Sequence, residues 1–164
     1  MHAFEMEPRL TVLALLLDAL GVGADIETVD DRKRVQKAVY LAQRSGVDLG
    51  YRYSWYKRGP YSRALTRDYY ELADSIEIGE HTNGDKLRPA SLAKLRKLRP
   101  LFAAPQETGL AQADWLELVA SVDFLRTVTG YDEKQVAATI RDAKPSLFPH
   151  LRFAKRALAF FPVP

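Results

Sequence analysis

The chain contains no cysteine. That absence excludes disulfides, thiolate metal ligands and thiol catalysis, and it suits a reducing compartment such as the cytoplasm. Histidine is scarce. His2, His81 and His150 lie far apart, and no pair has the i, i+4 spacing that places two metal ligands on one helical face. No metal site and no cofactor is expected. There is no Gly-x-Ser-x-Gly elbow, and the glycines do not form the phosphate-binding loop of nucleotide hydrolases. The acidic pairs Asp30/Asp31 and Asp132/Glu133 fall at helix starts, where the helix dipole accounts for them. The residues point to no catalytic centre, so a non-enzymatic protein is expected. Long apolar runs are also missing. The stretch from Leu10 to Leu20 is shorter than the roughly 20 residues that span a bilayer, and it contains Asp18. Glu5 and Glu7 precede it, where a secretory signal would carry positive charge. Neither membrane insertion nor export is expected.

What is present is apolar content and segregated charge. With 164 residues, 47% of them hydrophobic, the chain can bury a core without staples, and one domain is expected. The net charge of +3 is small, but its distribution is uneven. Residues 1–31 hold seven acids against Arg9 alone, and residues 32–67 hold ten bases against Asp48 alone. Further basic tracts occupy residues 86–99 and 143–164. Such alternation suits either polyanion binding or a charge-complementary protein contact.

Local patterns predict a mainly helical chain. Pro8, the leucines at 10, 13, 16, 17 and 20, and Gly21 bracket a first helix. A second is expected from a cap at Asp30 or Asp31 to Gly46. Tyr51, Tyr53 and Trp55 alternate with Arg52, Ser54 and Tyr56 in a half-buried strand ending at Gly59-Pro60. Ser62 is expected to cap a third helix running to Asp74. Asn83-Gly84, flanked by Ile76 to His81 and Lys86 to Arg88, predicts a projecting hairpin. Ser91 is expected to cap a fourth helix that Pro100 ends, and residues 105–109 resemble a linker. Helices capped by Asp114 and by Asp132 follow, with a last helix from about Pro149 to Phe161. The fold class expected is mainly α, with a winged-helix-like α+β body over 1–104, a small β-hairpin, and a C-terminal helical subdomain over 105–164 packed on it.

The segment from Arg32 to Asp68 interleaves bases with aromatics. Lys and Arg neutralise phosphates while Tyr and Trp offer stacking faces, a mixture suited to nucleic acid if both share a surface. The candidate anion-binding residues are Arg32, Lys33, Lys37, Lys57, Arg58, Ser62, Arg63 and Arg67. Within Lys57-Arg58-Gly59-Pro60-Tyr61-Ser62, the free N–H groups of the following helix could hold an anion ringed by Lys57, Arg58 and Arg63. The alternative is an ordinary strand-to-helix turn with a capping serine.

Residues 37–72, KAVYLAQRSGVDLGYRYSWYKRGPYSRALTRDYYEL, resemble the opening of the YwgA-like family of small bacterial and archaeal proteins. The likeness rests on Lys37, Tyr40 and Leu41, on Tyr53 and Tyr56, and on the turn Gly59-Pro60-Tyr61-Ser62. The helix from Leu116 to Leu125 and the following Lys144-Pro145 are similar to that family's C-terminal part. More distantly, the order of helix, strand and Gly-Pro is similar to the Panacea domain of antitoxins and proteolytic adaptors. Both resemblances imply a winged-helix-like body without catalysis, and neither supplies functional residues. A standard winged helix runs its two helices in succession, whereas here a strand separates them. The leading expectation is a regulatory nucleic-acid-binding module. Its rival is a protein-interaction module, such as an antitoxin, adaptor or defence-system accessory, with a protein partner or a second copy. Against nucleic acid stand Asp68, Glu71, Asp74, Glu77, Glu80 and Asp85, which share the third helix and the Asn-Gly turn.

Overall fold

In a computed structural model that describes residues 4–161, Pro8 and Gly21 delimit the first helix as the sequence predicts. This helix, α1 (Pro8–Leu20), ends on Gly21 at φ 75°, the left-handed conformation that glycine adopts without strain. The second helix, α2 (Val29–Arg44), starts earlier than predicted. Thr28 is its cap, accepting from Asp31 N at 3.0 Å, and Asp31 returns the bond to Thr28 N at 3.2 Å. Asp31 thus fills the inner position of a capping box rather than the cap.

The aromatic strand is shorter than its alternation. β1 (Ser54–Tyr56) pairs antiparallel with β2 (Gly59–Tyr61), Trp55 facing Pro60, around a turn at Lys57-Arg58. Gly59-Pro60 is therefore the return strand of the molecule's hairpin. Ser62 caps α3 (Arg63–Glu77) as predicted, but the helix continues past Asp74 and Ser75. It absorbs Ile76 and Glu77, so the hairpin expected at Asn83-Gly84 does not form. The turn itself exists, with Asn83 and Gly84 at φ 55° and 76° and Asp85 N donating to Thr82 O at 3.1 Å. Pro89 opens α4 (Pro89–Leu98) too soon for a returning strand, and His81 bridges in parallel to Glu5 instead.

Pro89 occupies the first turn of α4, and Ser91 lies inside the helix rather than capping it. Pro100 ends it in a 3-10 turn (Arg99–Phe102), and the expected linker carries another (Gln106–Thr108). Next comes α5 (Gln112–Thr127), in which Asp114 sits in the first turn and not at the cap. The Asp132–Gln135 capping box opens α6 (Glu133–Ala143) as predicted. The last helix, α7 (Leu151–Leu158), is shorter than expected and follows a 3-10 turn (Phe148–His150).

The class is mainly helical α+β, with one small antiparallel hairpin among the described residues. α5 is its axis: every residue from Trp115 to Leu125 is buried, and the helix touches α2, α6, α7 and β2. One apolar cluster joins Leu13, Leu41, Leu72 and Leu98 to Leu118, Val136 and Phe153, so the C-terminal helices pack on the preceding body. Each fully buried leucine contributes about 1.5–3 kcal/mol of transfer free energy. Among the described residues no helix is long and apolar enough to cross a membrane.

Candidate nucleic-acid interface

Lys33, Gln36, Lys37, Tyr40 and Arg44 recur every three or four residues and form one polar stripe along α2. It meets Asp114, Glu117 and Asp123 of α5, the two helices running in the same direction. Lys33 Nζ donates to Asp114 Oδ1 at 2.6 Å and to Glu117 Oε1 at 2.8 Å. Lys144 Nζ completes the cluster on Glu117 Oε2 at 2.5 Å and also donates to Lys57 O at 3.1 Å. Burial opposes the charge on Glu117, but the bonds from Lys144 and Lys33 outweigh it and hold the carboxyl below its usual range. Burial likewise opposes the charge on Lys33, and its two carboxylates keep it above the usual lysine range. At the other end, Arg44 Nε at 2.8 Å and Tyr40 Oη at 2.6 Å both donate to Asp123 Oδ2.

The same stripe anchors the hairpin. Gln36 donates to Ser62 O at 2.9 Å and accepts from Ser62 N at 2.9 Å. Lys37, 2% exposed, donates through Nζ to Pro60 O at 2.7 Å and among the described residues has no carboxylate partner. Burial is the main reason its amine is pushed down to about 7. Gly59, at φ 90°, passes so close to α5 that a Cβ there would press on Ser121 Oγ. Ser121 Oγ is the one buried side-chain polar atom among the described residues without a hydrogen-bond partner.

Outside this anchor the charges differ. Arg52, Lys57, Arg58, Arg63 and Arg67 are exposed, and among the described residues none has an ion pair. Arg52 and Arg63 flank a shallow groove with Tyr53, Ser54 and Tyr61. Arg58 and Tyr61 line a smaller pocket together with Lys33, Gln36, Lys37 and Tyr56. The rings of Tyr56 and Tyr61 stand 5.3 Å apart, and Tyr56 is 57% exposed. Cations and an open aromatic face therefore share one surface.

The acids of α3 weigh less against this surface than their count implies. Asp68 and Glu71 are both paired with Arg9 of α1, and Tyr51 Oη also donates to Asp68 at 2.7 Å. Asp74 and Glu77 lie seven or more residues beyond Arg67, roughly 10 Å farther along the axis at about 1.5 Å per residue. Glu80 accepts from Ser75 Oγ at 2.5 Å.

The expected site residues divide in two. Lys57, Arg58, Arg63 and Arg67 reach solvent, and Arg58 and Arg63 line two pockets that share Tyr61. Arg32, Lys33, Lys37 and Ser62 serve internal contacts. Arg32 donates to Ile26 O at 2.8 Å and Glu27 O at 3.2 Å, closing the loop before α2. Ser62 is 1% exposed, and its hydroxyl accepts from Leu65 N at 3.2 Å, so the serine acts as a cap and not as an anion ligand. Arg52 belongs to the exposed set and was hidden by its place in an alternating strand. Glu117, Asp123 and Lys144 were also missed. Carboxylates inside an otherwise apolar helix were the available signal, since buried charges require partners.

A wider cleft, about 560 Å³, lies between α1 and α4, but Asp18, Asp85, Lys86, Arg96 and Arg99 mix both signs along it. The hairpin face concentrates one sign. Among the described residues no three side chains of the metal-binding types come together, and His2 lies outside those residues. Compared with known proteins, the chain matches no family model, no curated protein and no solved structure.

Proposed function

We propose that this chain is a non-enzymatic regulatory module that binds nucleic acid through the hairpin and the first turns of α3. The observation that carries the reading is the set Arg52, Lys57, Arg58, Arg63 and Arg67, exposed and, among the described residues, without acidic partners, on the hairpin and first turns of α3 that also carry the open Tyr56 ring. Guanidinium and ammonium groups held on a rigid hairpin neutralise backbone phosphates, and Tyr56 supplies a stacking surface that favours single-stranded segments. The buried network beneath fixes the hairpin to α2 and α5, so the cations are presented on a rigid scaffold. The resemblance of residues 37–72 to the YwgA-like family, and more distantly to the Panacea domain, is part of the same proposal and supports a regulatory role. A cytoplasmic setting fits the lack of cysteine.

The experiment is a fluorescence-anisotropy titration with labelled single-stranded and duplex oligonucleotides. The wild type is compared with a variant carrying Arg58→Glu, Arg63→Glu and Arg67→Glu. The variant is expected to lose binding while keeping its helical circular-dichroism spectrum. Equal binding by both proteins would contradict the interface.

A second reading is a contact with a basic protein or a second copy of the chain. It is favoured by Ile76, 48% exposed, which lines a groove with Ala73, Asp25, Glu27 and Glu77 at the far end of α3. The acidic, apolar character of that groove complements the basic hairpin.

A further inference from the structure

Resting on the nucleic-acid reading, we propose that the small pocket between α2 and the hairpin is a phosphate-monoester site that receives the terminal phosphate of a bound strand. Three observations converge on this pocket. The first is charge at the mouth. Lys33, Lys37 and Lys144 face Asp114, Glu117 and, 4.0 Å from Lys33, Asp30, so the buried cluster has no carboxylate in excess, and exposed Arg58 at the mouth adds a positive charge. A monoester carries about −1.5 to −2 near neutral pH, more than the single charge of an internal diester, and so gains more from Arg58 and a charged Lys37.

The second is donor capacity. A lysine ammonium has three N–H groups. Lys37 spends one on Pro60 O and, among the described residues, has no other partner, so two donors remain on a side chain 2% exposed. Arg58 is free to close over an anion from the turn. The third is size. The cavity volume of about 130 Å³ equals roughly four water molecules at about 30 Å³ each, room for a phosphoryl group but not a nucleoside. The attached nucleoside stays outside, beside the exposed ring of Tyr56.

The site has a built-in pH response. Lys37 is held near 7 by burial and by Lys144, Lys33 and Arg58, while Glu117 opposes them. A bound dianion favours the charged amine, so binding takes up a proton above pH 7 and weakens as pH rises.

The test uses the full chain and one single-stranded oligonucleotide made with a 5′-phosphate, a 3′-phosphate or hydroxyl ends, titrated at pH 7 and pH 9. A phosphorylated end is expected to tighten binding about tenfold at pH 7. The preference shrinks at pH 9 and vanishes in Lys37→Met, while the hydroxyl-ended strand binds that variant as it binds the wild type. If Lys37→Met does not fold, Arg58→Ala, on an exposed turn, must reduce the end preference. Equal affinity for all three ends overturns the terminal-phosphate site and leaves the basic interface standing. Calorimetry with inorganic phosphate separates the sources: binding of the free ion without an end preference overturns the assignment to a strand end. No binding of any oligonucleotide at low salt overturns the nucleic-acid reading and this assignment with it.

Discussion

The two halves of the basic tract meet opposite fates. On α2, Lys33 and Lys37 turn inward, the first onto Asp114 and Glu117 and the second onto a backbone carbonyl of the hairpin. On the hairpin and α3, Lys57, Arg58, Arg63 and Arg67 turn outward and, among the described residues, find no acid. The same residue types thus hold the fold together in one place and leave a field for a ligand in the other. Charge counted along a chain does not measure a binding surface. What separates the halves is periodicity: the α2 cations share a face with the helix's contact to α5, whereas the others sit on a turn and on the solvent side of α3.

The comparison breaks most severely at Glu117. Removing it with Glu117→Ala leaves Lys33 and Lys144, whose side chains are 7% and 3% exposed, without their shared counter-charge. Breaking a buried pair from one side costs about 3–5 kcal/mol, read as a lowered urea midpoint. A loss below about 1 kcal/mol would show that this network does not hold α2 to α5.

Gly59→Ala attacks the same scaffold from the hairpin. It combines a positive φ with pressure on Ser121 Oγ, and a loss of about 2–3 kcal/mol is expected. Adding Ser121→Gly should recover part of that loss, because it removes the clash but not the backbone strain.

Lys37 sharpens the comparison through pH. Its amine lies near 7 in the folded chain against 10.5 in the unfolded one, so between these values the unfolded state binds more protons. Stability contributed by Lys37 therefore rises from pH 7 to pH 9, by up to about 1.4 kcal/mol per unit. Urea midpoints at the two pH values should diverge in the wild type and converge in Lys37→Met.

The smallest effect is expected at a surface pair. Glu133, with a side chain 55% exposed, is held down to about 2 by hydrogen bonds from Arg126 and Lys155. Solvent screens that site, and Glu133→Gln should cost less than about 1 kcal/mol despite its two cationic partners. A cost equal to that of Glu117→Ala would erase the distinction between buried and exposed charge.

Local chemistry was legible in the sequence where a few neighbouring residues decide it. The Pro8 and Gly21 boundaries, the Ser62 cap, the Asp132–Gln135 box and the inward alternation of Tyr51, Tyr53 and Trp55 are of this kind. Misplacements arose where competing signals overlapped. The turn chemistry of Asn83-Gly84 was right, but the strands around it lost to the extension of α3 and the start of α4. The site was half legible. That Arg58, Arg63 and Arg67 lie near one another in the chain is read from the sequence, but that Lys33 and Lys37 turn inward depends on Asp114, Glu117 and Pro60, most of them some 80 residues away. Tertiary pairing at that range leaves no local mark except the unexplained carboxylates of α5.

The most direct measurement of the central claim is the salt dependence of oligonucleotide binding. If all five exposed cations meet phosphates, log K against log salt should fall with a slope of about −3.5 on a single strand, and the Arg58, Arg63 and Arg67 variant should lose most of that slope. A flat salt dependence, or a slope unchanged by the three substitutions, would contradict the assignment of this face to a polyanion.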